Sequence, residues 1–87
     1  MVDEFRDART KEILGKVGPY LREGDRILDI GSGGCTVARG LKDAGYEITP
    51  LDVVNKSVYR DFHPTIYNGK NIPFPDNSFN VALLITV

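Results

Sequence analysis

The run Arg26-Ile27-Leu28-Asp29-Ile30-Gly31-Ser32-Gly33-Gly34-Cys35 constrains the fold more than any other stretch of this chain. Its first five residues are mostly apolar on both faces, as in a central parallel strand. The glycines that follow permit the positive φ angles of a tight turn opening into a helix. Strand, glycine turn and helix in that order make a nucleotide-binding turn. Asp29 narrows what such a turn can hold, because an acid two residues before the first glycine lies under the ligand. There it repels a pyrophosphate and attracts a cationic group.

The rest of the chain alternates helix and strand signals. Over residues 3–17, Phe5, Ala8, Ile13, Leu14 and Val17 recur near helical spacing, with Asp3 placed to cap the start and Gly18-Pro19 to end the helix. Tyr20 and Leu21 are expected to pack ahead of a Gly24-Asp25 turn. After the Arg26–Ile30 strand, Val37, Ala38, Leu41 and Ala44 form one stripe of a helix from Gly33 to about Ala44, closed by Gly45 as a left-handed cap. Glu47 to Asp52 reads as a second strand, with a local break expected near Pro50, which cannot donate to a ladder. Asn55 is placed to cap a short helix through Tyr59 or Arg60, ended by Pro64 before a third strand, Thr65-Ile66-Tyr67. Asn68 to Ser78 is turn chemistry, and Phe79 to Val87 is a strongly apolar fourth strand. Alternation of this kind predicts right-handed crossovers and a parallel sheet, half of a doubly wound α/β fold.

Eighty-seven residues make one small domain, and eleven basic against twelve acidic residues leave a net charge of −1 with no block of one sign. Charge therefore favours neither nucleic acid nor a membrane surface as a partner. The longest apolar run, Val81 to Ile85, is far too short to span a bilayer, and the charged N-terminus lacks the apolar core of a signal peptide. Cys35 is the only cysteine, which excludes an intrachain disulfide, argues against a cysteine-built metal site and suits the cytoplasm. A small half-buried thiol at a helix start is the expected role for Cys35, rather than a reactive nucleophile. His63 reads as a loop histidine, and Asp76-Asn77 as turn residues rather than an acid pair.

Three blocks carry a resemblance: Ile27 to Cys35, Asp52 at the end of the second strand, and Ile72-Pro73-Phe74-Pro75-Asp76-Asn77-Ser78-Phe79-Asn80-Val81. In that order they resemble the N-terminal, cofactor-binding half of a class I S-adenosylmethionine-dependent methyltransferase of the type 11-like subgroup. The resemblance covers nearly all of the chain. It implies a truncated Rossmann-like sheet in the order 3-2-1-4 and a single S-adenosylmethionine-binding domain over residues 1–87. It puts Asp29, Gly31 and Gly33 beside the methionine end of the cofactor. Asp52 would accept hydrogen bonds from the ribose hydroxyls, Val53 would pack on the adenine face, and Asn68 would accept from the adenine amino group. Two positions depart from the family pattern: Cys35 where a third glycine is common, and Asn80 where an acid usually follows Phe79. No residue matches a catalytic base or a substrate-recognition element, so catalytic residues stay unassigned, and the half-domain by itself is not expected to methylate.

The same resemblance makes the fourth strand an edge and leaves one sheet face without its helices. A homodimer or oligomer through residues 79–87 and that face is the expected remedy, with a separate chain supplying the missing half as the alternative. Two other functions stay open. One is a non-catalytic interaction module descended from a methyltransferase. The other is a nicotinamide dinucleotide site, disfavoured because Thr36 holds the fingerprint's third glycine position and Asp29 opposes phosphate.

Overall fold

The computed structural model describes residues 4–85. The elements run α1 (Glu4–Val17), a 3-10 turn (Gly18–Tyr20), β1 (Arg26–Ile30), α2 (Thr36–Asp43), β2 (Glu47–Asp52), β3 (Thr65–Ile66) and β4 (Val81–Leu84). All strand pairings are parallel and the sheet order is β3-β2-β1-β4. This is the Rossmann-like α/β arrangement that the alternation of strands and helices requires. Asp3, Thr86, Val87 and the side chain of Phe5 lie outside the described residues.

Central β1 buries Ile27 and Leu28 on opposite faces of the sheet. Pleating puts Ile27 and Asp29 on one face, level with Ile48 and Pro50 of β2 and with Val81 and Leu83 of β4. Here α2 covers the sheet: Cys35 and Ala38 are buried with Phe62, and Ile48 packs on that cluster. Gly40 sets how closely α1 approaches α2, since a Cβ there would stand 2.6 Å from Leu14 Cδ1. A Schellman cap ends α2, with Gly45 at φ +100°, its N–H donating to Lys42 O and the Tyr46 N–H to Leu41 O.

The opposite face is less bare than expected. Leu28 and Leu51 are buried at its centre, and exposure is concentrated on β4, where Ala82 is exposed and Leu84 is 74% exposed. The Asn80 N–H donates to Arg26 O. By alternation, Val81 and Leu83 then turn their own backbone groups to the outer edge of the sheet.

Other expectations need correction. Tyr20 is 86% exposed, because the 3-10 turn at Pro19 points it outward and only Leu21, in extended conformation, turns inward. No break occurs at Pro50. Leu51 O accepts from Gly31 on the β1 side, so the Pro50 nitrogen faces the β3 side, which pairs with β2 only from Leu51 onward and thus asks no donor of it. The helix after Asn55 does not form, because side chains and the glycine loop capture its backbone. Asn55 Oδ1 accepts from Ser57 N–H, Ser57 Oγ accepts from Tyr59 N–H and donates to Phe62 O, and Val58 N–H donates to Gly34 O. Helix α2 starts at Thr36 rather than Gly33, since the glycines remain in the turn. The third strand loses Tyr67, although its N–H still reaches Asp52 O.

The fourth strand is shorter than expected because Phe79 and Asn80 have other duties. Phe79 meets Phe74 edge to face at 5.2 Å across a turn closed by Ser78, whose N–H and Oγ both reach Pro75 O. Asn80 works as a two-way clamp: its Oδ1 accepts from Arg26 N–H at 2.6 Å and its Nδ2 donates to Asp25 Oδ1 at 2.8 Å. The buried Asp25 also accepts from Arg22 N–H, and this bond, followed by the Asn80 amide, holds its pKa below the ordinary carboxylate value. An acid at position 80 would therefore face a second carboxylate, which accounts for the amide there. Asn80→Asp is expected to lower the melting temperature at pH 7 by about 5 °C. Calorimetric melting should show the loss shrinking as the pH falls through the carboxylate range and the pair regains a shared proton.

Candidate functional site

The glycine turn after β1 is strapped to the end of β2. Leu51 O accepts from both Gly31 N–H at 2.8 Å and Ser32 N–H at 3.1 Å, and Asp52 Oδ2 accepts from Gly33 N–H at 2.9 Å. These inward bonds need Gly31 at φ +75° and Gly33 at φ +54°, angles that glycine adopts without penalty. Cys35 stands at φ +65°, a left-handed conformation that a glycine would adopt without penalty. A left-handed non-glycine residue costs about 1–2 kcal/mol, offset here by complete burial of the side chain. Burial pushes the thiol pKa up, and its Sγ lies 3.6 Å from Ser32 Oγ. Cys35 is thus a buried packing residue, more enclosed than expected and unsuited to reaction.

A cavity of about 270 Å³ opens over this turn. Asp29 and the loop Gly31–Gly34 form its floor, and Arg9, Thr10 and Ile13 of α1 form one wall. Lys56 and Val58 form another wall, because the bond from Val58 N–H to Gly34 O draws that segment over the loop. Helix α2 points its start into the cavity at Thr36 and Val37, and Cys35 provides no side-chain cap. The first N–H groups of α2 therefore lack an intrahelical partner on the cavity side.

Asp29 is 3% exposed and still reaches this space. Burial first, and the negative charge of Asp52 second, push its pKa up from 3.8 to about 6, and among the described residues no hydrogen bond pulls it back. Isolated buried carboxylates are costly, and the usual remedies are a donor or a cation. Arg9 and Lys56 are both exposed at the rim, where water screens them.

The remaining expected residues gather elsewhere. Asp52 sits at the junction of loop and strand, with Oδ1 accepting from Val53 N–H at 2.7 Å and Oδ2 from Gly33. Each oxygen retains a second acceptor position. Val53 is exposed and lies beside Gly69, where an added Cβ would stand 3.3 Å from Val53 Cγ1. Asn68 is next in the chain, but its Oδ1 already accepts from Lys70 N–H and Asn71 N–H. Asp29, Gly31 and Gly33 thus line the cavity, Asp52 links it to a second region, and Val53 and Asn68 belong to that second region. Sequence reasoning missed Arg9, Lys56 and Val58, whose approach depends on helix packing and on one backbone bond. His63 is exposed, with Nε2 3.0 Å from Tyr59 O, and among the described residues no cluster of His, Cys, Asp and Glu could hold a metal. No described helix is long and apolar enough to cross a membrane.

No family model matches the chain, and neither does any curated protein or solved structure.

The raised pKa of Asp29 makes a stability prediction. Below pH 3.8 the carboxyl is protonated in folded and unfolded chains alike. Between 3.8 and about 6 only the unfolded chain gives up the proton, so stability falls as pH rises through that window. Above it the full penalty of about 3 kcal/mol remains. Asp29→Asn is expected to raise stability toward denaturant by about that amount at pH 7.5, and the gain should shrink as the pH falls and vanish by about pH 3.

Proposed function

We propose that this chain binds S-adenosylmethionine as the cofactor-binding half of a class I methyltransferase does. The observation that carries the reading is a buried carboxylate that opens onto a cavity beside a glycine turn, with no hydrogen-bond donor to it among the described residues. A ligand with a positive group removes the cost of that carboxylate, and S-adenosylmethionine carries an ammonium and a sulfonium. The cavity is at the small end of ligand pockets, which run roughly 300–1,000 Å³. It suits the amino-acid end of such a ligand, with the nucleoside lying outward toward Asp52 and Val53. The start of α2 and Lys56 provide positive potential for the ligand's carboxylate.

A dinucleotide fits less well for a reason beyond Asp29. Loops that cradle phosphate aim successive backbone N–H groups at the ligand. Here the N–H groups of Gly31, Ser32 and Gly33 all turn away to Leu51 O and Asp52. The reading is one of binding, in keeping with a cofactor-binding half of such an enzyme.

Titration calorimetry of the 87-residue chain with S-adenosylmethionine and with NAD tests the reading. Saturable binding of S-adenosylmethionine alone is expected, weakened at least about tenfold, or ~1.4 kcal/mol, by Asp29→Ala. Binding of NAD alone would reverse the assignment, and silence with both would favour an interaction module.

A further inference from the structure

The surroundings of Asp29 can be set out element by element among the described residues. From α1 comes Arg9 and from the segment after β2 comes Lys56, both exposed at the rim. β2 contributes Asp52, whose oxygens are engaged by Gly33 and Val53 N–H groups. Cys35, at the start of α2, is neutral, its thiol pKa raised by burial. On this face β4 and the residue after it offer only Val81, Leu83 and Ile85. The carboxyl therefore has a like charge behind it, apolar side chains to one side and an open cavity in front.

We infer that Asp29, buried at the floor of the cavity with Asp52 behind it, selects ligands by charge: a ligand's positive group entering the cavity displaces a proton from the carboxyl. The O–H bond breaks, the proton passes to solvent, and the electron pair stays on the carboxylate, which then faces the ligand cation. The inference rests on the S-adenosylmethionine reading for its natural ligand and concerns how that site is regulated. Burial and the Asp52 charge push the Asp29 pKa up to about 6, so near pH 6 a proton and a ligand cation compete for the carboxyl. Binding there releases about half a proton, and affinity falls toward tenfold per pH unit below that point while levelling off above pH 7.

Calorimetry of S-adenosylmethionine binding at pH 6 in two buffers of different ionisation enthalpy reads the proton count directly. Release of about half a proton by the native chain, and of none by Asp29→Asn, is expected. Binding with no proton exchange at pH 6, or release that persists in Asp29→Asn, overturns the inference. A second measurement does not depend on the natural ligand. Carboxyl-carbon NMR of the empty chain should place the Asp29 midpoint near 6, and trimethylsulfonium chloride should lower it relative to sodium chloride at equal ionic strength. An Asp29 midpoint in the ordinary carboxylate range, or one that trimethylsulfonium leaves unmoved, overturns it as well. If S-adenosylmethionine fails to bind while the NMR results hold, the ligand reading fails and the proton-linked cation site stands.

Discussion

The strap between the glycine turn and the end of β2 is the interaction on which the site depends. Two backbone donors converge on Leu51 O and a third reaches the Asp52 carboxylate. Three consequences follow from these bonds. They hold the turn against the sheet, so that α2 starts where it can bury Cys35 and Ala38. They turn the loop's N–H groups away from the cavity, which removes the feature that makes such loops hold phosphate. They also fix a second carboxylate close enough to Asp29 to raise the cost of its ionisation. Without the strap, the cavity would lose both its floor and its electrostatic character.

Asp29 shows the opposite balance. The residues around it supply burial and a like charge, so ionising it opposes folding throughout the neutral range. A domain this small has a stability of only about 5–15 kcal/mol, and a penalty of a few kcal/mol is a large part of it. An apolar or amide side chain would serve packing better. Asp29 nonetheless places a carboxyl, at a cost to the fold, on the floor of the cavity. Asp25 makes the contrast plain: it is also buried, but Arg22 N–H and the Asn80 amide satisfy it, and its pKa moves down. Burial alone does not set the direction of the shift; the hydrogen bonds that accompany it do.

Local chemistry was legible wherever it acts over a few residues. The strand, glycine turn and helix around Asp29, the Gly45 cap and the turn at Asp76-Asn77 all follow from short-range preferences, and each is present. Misreadings came where a side chain outcompeted a local preference or where strand register decided the outcome. Ser57 drew the backbone after Asn55 out of a helix. Pro50 stayed in its strand because its nitrogen faces the side where β3 has not yet begun. Neither fact can be seen without knowing which groups lie opposite.

By itself, the sequence determined the α/β class, the succession of elements, and a carboxylate placed under a glycine turn, because periodicity and backbone preference operate within a single strand or helix. Tertiary structure decided whether that carboxylate has a partner. It directed the loop's donors inward, brought Arg9 and Lys56 from distant parts of the chain to the rim, and paired Asn80 with Asp25 across 55 positions. These outcomes depend on packing and on hydrogen bonds between groups far apart in the chain, and an electrostatic environment exists only once those groups have been assembled.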